Sequence, residues 1–257
     1  MTILAILQAR MTSTRLPNKV LAPILGQPML ARQIERLRRA TTLDKLVVAT
    51  SDDASDDPLA AMCEDISVPF YRGSLNDVLG RFKGVCEAFG SVNHIVRLTG
   101  DCPLADPAVI DAVVRHHLAS GADYTSNALQ PTWPDGLDVE VLRMEVLQRA
   151  FQEAHLPSER EHVTSYICKN PEFFYIEHFK SERDLSHLRW TVDESADLVF
   201  VSEIYAALYP KNPVFDTADI LALIEQNPEL AKLNDHFLRN EGYAKSLATD
   251  TPNIPLN

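Results

Sequence analysis

Several features are absent from this sequence of 257 residues, and each absence excludes a class of protein. No segment is long and apolar enough to cross a membrane, and the first residues lack the basic and then apolar pattern of a signal peptide. We therefore expect a protein that stays in the cytoplasm and contacts no membrane. No internal repeat and no low-complexity segment is evident.

Cysteine and positive charge are also scarce. The four cysteines, Cys63, Cys86, Cys102 and Cys168, lack the spacing of metal ligands, so free thiols in a reducing compartment are expected. Lysine and arginine total 24 against 36 aspartates and glutamates, which gives a net charge of -12. This balance disfavours a general nucleic-acid surface. An anionic substrate has to be met by local cations or by a metal ion.

Hydrophobic residues are plentiful, and their pattern predicts an α/β fold. They make up 46% of the chain, enough to bury a full core. Strand-like and helical segments alternate over the first half. The predicted elements are strands at 3–7, 45–49, 69–71 and 94–98, and helices at 29–40, 57–63, 75–88 and 107–117, the last capped by Asp106. This order predicts a doubly wound, mainly parallel sheet with right-handed crossovers.

The alternation lapses after residue 123. Later predicted elements are an extended segment at 137–141, helices at 144–154, 161–167 and 195–208, and a strand at 188–192. We interpret residues 1–236 as one domain, with residues 128–186 as an inserted lid or dimerisation excursion. Aromatic and charged side chains gather in that excursion, which suits a partly buried interface. Residues 237–257 form a polar C-terminal tail.

A cation-rich loop follows the first predicted strand. Residues 8–19 are Gln-Ala-Arg-Met-Thr-Ser-Thr-Arg-Leu-Pro-Asn-Lys. Arg10, Arg15 and Lys19 can neutralise a triphosphate, and the hydroxyls and amides of residues 12–14 can donate hydrogen bonds to its oxygens. A solvated basic turn is the alternative. Because the chain as a whole is acidic, this local group of cations favours an anion site.

Two acidic residues follow predicted strands directly. Asp101 comes after the strand at 94–98 and a glycine turn, where a carboxylate can hold Mg²⁺ against a phosphate. Asp193 follows the strand at 188–192. It also occupies the position of an N-cap for the helix that starts near residue 195, so both roles stay open.

Three further patterns carry polar residues. Arg72 and Ser74 precede a helix on which Asp77 and Arg81 are spaced to pair with each other. The extended segment at 137–141 places Asp138 and Glu140 on one face, where they can hydrogen-bond hydroxyls or an amine. Farther along, Arg160 and His162 are candidates to bind a carboxylate or phosphate or to cross a dimer interface, although a lone histidine in a helix is more often structural.

The string Ala-Arg-x-x-Ser-Thr-Arg-Leu-Pro-x-Lys, followed by Gly-Gln-Pro-Met-Leu, resembles the amino terminus of cytidylyltransferases that make CMP-activated sugars. The similar branch is the one named after spore-coat polysaccharide biosynthesis, with acylneuraminate and Kdo cytidylyltransferases as relatives. Thr12 and Asn18 stand where that family usually has glycine. Matching strings surround Arg72, Asp101 and Asp193 in the same order, so that the resemblance covers residues 3–204.

The resemblance implies a Rossmann-like, GT-A-like nucleotidyltransferase that transfers CMP from CTP to a sugar acid or related small anionic acceptor. From the aromatic and charged side chains of residues 128–186 we also expect a homodimer, with the acceptor site completed by this segment. The implied nucleotide-binding residues are Ala9, Arg10, Ser13, Thr14, Arg15, Lys19, Arg72 and Ser74. The implied catalytic residues are Arg10, Arg15, Lys19 and Asp101. Asp101 and Asp193 would bind Mg²⁺ or Mn²⁺. The implied acceptor-binding residues are Asp138, Glu140, Arg160 and His162.

Two other functions fit parts of the pattern. A metal-dependent glycosyltransferase of similar topology would carry an Asp-x-Asp motif, and the sequence at Asp101 lacks the second acid. A catalytically silent nucleotide-binding paralogue is disfavoured because both metal-binding acids and all three loop cations are retained. The acceptor stays open among a nonulosonic acid, a Kdo-like sugar, a phosphonate and a sugar phosphate.

Overall fold

Seven strands form one mixed sheet in the computed structural model, which describes residues 1–237, 239 and 250. The strands of the described chain are β1 (Ile3–Gln8), β2 (Pro23–Ile24), β3 (Gln27–Pro28), β4 (Lys45–Ser51), β5 (Phe70–Gly73), β6 (His94–Thr99), β7 (Tyr124–Ser126), β8 (Glu140–Arg143) and β9 (Ile176–His178). Their order across the sheet is β5-β4-β1-β6-β8-β7-β9, and β2 and β3 pair separately.

The first half of the sheet is parallel and the second half is mixed. β1 lies between β4 and β6 and is parallel to both, while β5 extends the parallel half. β8 runs antiparallel to β6 and β7, and β9 is parallel to β7. The predicted α/β fold with a mainly parallel sheet is therefore confirmed.

Helices cover both faces of the sheet. Their bounds are α1 (Met29–Leu37), α2 (Asp57–Asp65), α3 (Val78–Phe89), α4 (Pro107–Ser120), α5 (Met144–Glu153), α6 (Pro157–Glu161), α7 (Ser165–Lys169), α8 (Ser195–Leu208) and α9 (Thr217–Gln226). Successive side chains of β1 pack on opposite faces of the sheet. Leu7 belongs to the core beneath α1, α4 and α8, whereas Ile6 belongs to the core beneath α3 and α5. A central parallel strand buried on both faces explains the unbroken apolar sequence of β1.

Local hydrogen bonds set two helix starts. Asp106 Oδ1 accepts from Ala108 N at 2.8 Å, which confirms the predicted cap of α4. Asp77 Oδ1 accepts from Gly80 N at 2.8 Å, so α3 begins at Val78 and not at residue 75 as predicted. At the other end of a helix, α1 stops at Leu37, short of the predicted residue 40.

Two predictions for the second half of the chain were wrong in detail, and the structure refines a third. The segment at 188–192 is not a strand of the sheet, since its only bridge joins Arg189 to Asp135. Its apolar side chains, among them Trp190, are buried in the core even though the segment is irregular. The predicted helix at 161–167 is divided into α6 and α7, with Val163 at φ 50° between them. The extended segment at 137–141 joins the sheet only from Glu140 onward.

Residues 128–186 contribute to the main sheet. β8 and β9 both lie in this segment, and β9 had no predicted counterpart. The assignment of the segment to a lid or a dimer interface stays a prediction. Most of the predicted polar tail lies outside the described residues. Within the part that the structure describes, no helix is long and apolar enough to span a membrane.

The turn at Gly136 yields the first testable prediction. Gly136 has φ +108°, and a Cβ there would lie 2.6 Å from the backbone of both Trp190 and Thr191. Gly136→Ala should therefore lower the free energy of unfolding by about 2 kcal/mol or more, from backbone strain and the clash together. Urea denaturation measures the change.

Gly90 offers a matched control for this substitution. It also has a positive φ, +63°, but a Cβ there would meet nothing within 4 Å. Gly90→Ala thus carries the conformational cost without the clash. Equal destabilisation by the two substitutions would contradict the close packing at Gly136.

Candidate active site

The loops that follow β1 and β6 meet at the carboxyl edge of the sheet. Gly100 N donates to Gln8 O at 2.8 Å. A Cβ at Gly100 would lie 2.9 Å from Ala9 Cβ and 3.0 Å from Gln8 O, so this approach requires glycine. The contact places Asp101 beside the cation-rich loop that the sequence singled out.

Lys19 joins the two predicted metal ligands. Its Nζ donates to Asp193 Oδ1 at 2.8 Å and to Val192 O at 2.6 Å, and lies 3.6 Å from Asp101 Oδ2. Burial lowers the pKa of Lys19, but Asp101 and Asp193 outweigh burial, so the net pKa is raised. The structure therefore brings together three residues that the sequence predicted for one site.

The Asp101 carboxyl is held ionised. Burial raises its pKa, yet Lys19 and the hydrogen bond from Thr99 Oγ1 to Asp101 Oδ1 at 2.5 Å outweigh burial, and the net pKa is lowered. Cys102 Sγ lies 3.4 Å from the same oxygen. An ionised carboxylate at this position suits the predicted binding of a cation.

The N-cap alternative for Asp193 is wrong. The cap of α8 is Glu194, and Asp197 Oδ2 accepts from the backbone N of both Asp193 and Glu194 at 2.9 Å. With the helix end already satisfied by Asp197, the Asp193 side chain turns to the first loop. Arg15 Nη2 lies 2.8 Å from Asp193 Oδ2, in addition to the bond from Lys19.

The first loop is tied to the loop after β4. Met11 N donates to Asp56 Oδ1 at 2.6 Å, and the fully buried Asp56 also accepts from Ser51 N. Asn18 has φ 63°, as expected for a residue in place of glycine, whereas Thr12 does not have a positive φ. The acidic segment at 52–57 thus contains an anchor of the cation-rich loop.

The other predicted nucleotide-binding residues differ in their surroundings. Ala9 is buried, Thr14 is exposed, and Ser13 Oγ accepts weakly from a loop amide. Arg10 lies 3.6 Å from Glu161. Ser74 is exposed just after β5.

Arg72 has structural partners around the end of β4. Its Nε donates to Ser51 O at 2.8 Å, its Nη2 donates to Asp53 O at 2.9 Å, and Asp57 lies 2.7 Å away. A bond from Arg72 to the nucleotide would have to be made in addition to these contacts, and it stays a prediction.

The predicted pair of Asp77 with Arg81 is wrong. Asp77 binds Arg160 instead, with Arg160 Nε donating to Asp77 Oδ1 at 2.9 Å. Arg81 is 2% exposed, and neither its Nε nor its Nη1 has a hydrogen-bond partner in the described chain. Burial and the nearby Arg10 lower its pKa to about 10. Arg81 is therefore a buried cation close to Arg10 of the cation-rich loop, and the sequence pattern assigned it no ligand.

The four predicted acceptor-binding residues separate into different environments. Glu140 is buried and accepts from Arg97, from Tyr124 and, at 2.8 Å, from Thr164 Oγ1. Burial raises its pKa, but Arg97 and these hydrogen bonds lower it overall. The carboxylate is thus already bonded on both oxygens, which favours a structural role over contact with an acceptor.

The other three predicted acceptor-binding residues each have different partners. Asp138 accepts from Arg239 Nη2. Arg160, bound to Asp77 and to Phe151 O at 3.0 Å, joins α6 to the start of α3. His162 lies 3.8 Å from Glu161, and burial lowers its pKa.

Sequence reasoning missed four charged residues of this region: Arg97, Asp135, Arg189 and Arg239. Arg189 Nε donates to Asp197 Oδ1 at 2.8 Å, and its Nη1 lies 3.3 Å from Asp135 Oδ2. Burial and the nearby Asp138 raise the pKa of Asp135 to about 7. Arg97 could have been noticed from the sequence, because it is a charged residue within the apolar sequence of β6. The contacts of the other three residues join distant segments and leave no local sequence pattern.

Two carboxylates are the candidate ligands of a metal ion. Asp101 and Asp193 both contact the Lys19 ammonium, and Arg15 also contacts Asp193, so a metal ion would compete with these cations for the carboxylate oxygens. No group of three or more metal-ligating side chains occurs among the residues that the structure describes. Mg²⁺ is commonly bound by one or two carboxylates together with substrate phosphates, so this pair fits a metal that binds with a nucleotide.

A basic loop facing two acids at the carboxyl edge of a doubly wound sheet is the arrangement of a nucleotide-handling α/β enzyme. The model of the cytidylyltransferase family matches residues 4–200. The chain therefore belongs to the cytidylyltransferase family and is a nucleotidyltransferase. This membership sets aside the glycosyltransferase alternative.

Known relatives cover nearly the whole chain. It is 34% identical to the spore coat polysaccharide biosynthesis protein SpsF of Bacillus subtilis, over 89% of this chain and 96% of SpsF. It is 33% identical to an uncharacterised protein of Methanocaldococcus jannaschii, over 95% of this chain and 98% of the other. A cytidylyltransferase structure from Leptospira borgpetersenii has a TM-score of 0.87 at 30% identity, over 93% of this chain and 99% of the other.

A more distant structure supports the fold alone. A CMP:2-keto-3-deoxy-manno-octonic acid synthetase complexed with CTP has a TM-score of 0.60 at 18% identity. It covers 80% of this chain and 99% of its own.

The surroundings of Glu140 generate a stability prediction. Glu140→Gln would leave the buried Arg97 guanidinium without its charged partner, so the free energy of unfolding should fall by about 3 kcal/mol. Urea denaturation measures the loss, with Glu145→Gln as a control because the Glu145 side chain is 73% exposed. Unchanged stability would show that the pair contributes nothing to the fold and would restore Glu140 as a candidate acceptor ligand.

Proposed function

We propose that the protein transfers CMP from CTP to a sugar acid or a related small anionic acceptor, with release of pyrophosphate, in the biosynthesis of a surface polysaccharide or glycan. The observation that carries the proposal is that the Lys19 ammonium of the cation-rich loop contacts both Asp101 and Asp193. Family membership supports the nucleotide, and the name of SpsF supports the pathway class.

In the proposed reaction an acceptor oxygen attacks the α-phosphorus of CTP in line with the departing pyrophosphate. Arg10, Arg15 and Lys19 bind the β- and γ-phosphates and stabilise the negative charge of the leaving group. No covalent nucleophile is required, because positioning and charge neutralisation provide most of the acceleration in such transfers.

Asp101 and Asp193 are the proposed ligands of Mg²⁺ or Mn²⁺. A bound divalent ion would neutralise charge that develops on the phosphates. Lys19 already contacts both carboxylates and is 8% exposed, so it holds them in place from the protein side.

The acceptor is proposed to lie next to Asp138, whose side chain is 28% exposed. His162 and Arg160 remain proposed contacts, and Glu140 would act through Arg97. We also propose that residues 128–186 provide a homodimer interface in a cytoplasmic enzyme. Sedimentation velocity at micromolar concentration tests the dimer, because a strictly monomeric species would refute it.

Asp101→Asn tests the catalytic proposal most directly. The substitution keeps an oxygen but removes the charge, so turnover should be abolished while the fold is retained. Pyrophosphate release with CTP measures turnover, and Asp65→Asn on the exposed side of α2 is the control. Activity within about tenfold of the parent, a loss of only ~1.4 kcal/mol, would show that Asp101 is not a catalytic metal ligand.

Nucleotide preference is tested without an acceptor. CTP with Mg²⁺ should raise the melting temperature more than ATP, GTP or UTP does, because selective binding stabilises the native state. Equal or larger shifts with ATP or GTP would refute the cytidine preference. Selective CTP binding without pyrophosphate release for any acceptor would instead support the silent paralogue.

A further inference from the structure

One residue beside the proposed acceptor site, Arg239, comes from far along the chain. Arg239 donates from Nη2 to Asp138 Oδ1 and from Nη1 to Trp133 O at 3.2 Å. Its Nε lies 3.8 Å from Asp135 Oδ1. The Arg239 side chain is 14% exposed, so its charge sits largely out of water against two carboxylates.

The residues before Arg239 are anchored in the same region. Asn234 is 1% exposed, and its Nδ2 donates to Arg189 O at 3.0 Å and to Asp197 Oδ1 at 2.8 Å. The Phe237 ring packs 5.6 Å from the Arg189 guanidinium carbon. Arg239 is therefore placed by specific contacts with the segment that carries Asp193 and the start of α8.

Arg239 forms the ion pair of Asp138 within the described chain, whereas the nearby Glu140 and Asp101 are acidic. Burial raises the pKa of Asp138, Arg239 opposes burial, and Glu140 and Asp101 raise the pKa further, so that the net pKa is raised. Asp135 lies in the same loop as another acidic neighbour, and Arg189 pairs with Asp197 and Asp135. Without Arg239, the partly buried Asp138 carboxylate would face these acids with no ion-pair partner among the described residues.

We propose that Arg239 is a positioning residue for the acceptor, because its hydrogen bond and its charge hold the Asp138 carboxylate in one orientation. The inference rests on the proposed function and assigns part of its acceptor site. Arg239 engages Oδ1 of Asp138, and Oδ2 has no hydrogen-bond partner in the described chain. That second oxygen is the one that accepts from a hydroxyl or amine of the acceptor.

Steady-state kinetics with CTP, Mg²⁺ and the best acceptor from a screen of nonulosonic and Kdo-like sugar acids test this role. Arg239→Gln should lower kcat/KM for the acceptor about tenfold or more, the effect of losing one charge-assisted hydrogen bond, with KM for CTP unchanged. Arg239→Lys, or guanidinium chloride added to Arg239→Gln, should restore part of the loss. Arg115→Gln removes the same charge from a side chain that is 63% exposed and lies outside residues 128–186, and it should match the parent.

Three results would overturn the proposal while leaving the proposed function intact. They are an Arg239→Gln enzyme that behaves like Arg115→Gln, an equal loss for CTP and acceptor, and a loss that neither lysine nor guanidinium restores. A parent enzyme that turns over no acceptor in the screen would refute the proposed function itself, and the role of Arg239 with it. The activity of the parent thus separates the two failures.

Discussion

The site depends on one buried ammonium group. Lys19 contacts Asp193, Val192 O and Asp101, and so joins the loop after β1 to the loop after β6 and to the segment before α8. A buried lysine is tolerated only when opposite charges compensate the loss of water. Here two carboxylates provide that compensation, and in return the ammonium fixes both of them at the edge of the sheet.

Backbone approach makes this arrangement possible. Parallel pairing of β1 with β6 brings their carboxyl ends together, and Gly100 allows the two following loops to touch. Gly136 likewise allows the loop that carries Asp135 and Asp138 to touch the segment at 189–192. Each glycine lowers local stability through its conformational entropy, but it allows two segments to touch that a side chain would keep apart. The contacts of Lys19 with Asp101 and Asp193 can then form across these closely packed loops.

The sequence predicted those features that local rules determine. Apolar periodicity predicted the parallel half of the sheet, the Asp106 cap predicted the start of α4, and the family's order of motifs indicated that Lys19, Asp101 and Asp193 share one site. It failed at residues 188–192, because an alternating apolar segment buries its side chains equally well outside a sheet. It also missed that Glu140 is paired with Arg97 and that Asp138 is paired with Arg239. Such partners are set by tertiary packing between distant segments, which no local pattern records.

The hydrogen bond between Lys19 and Asp193 spans 174 positions of the chain. Synthesis proceeds from the amino terminus, and β1, β4, β5 and β6 all belong to the first 99 residues. The parallel half of the sheet is thus available long before the partner of its lysine has been made. Up to that point Lys19 in the growing chain lacks one of the two acids that it contacts in the folded protein. Completion of the site is in this way coupled to completion of the polypeptide.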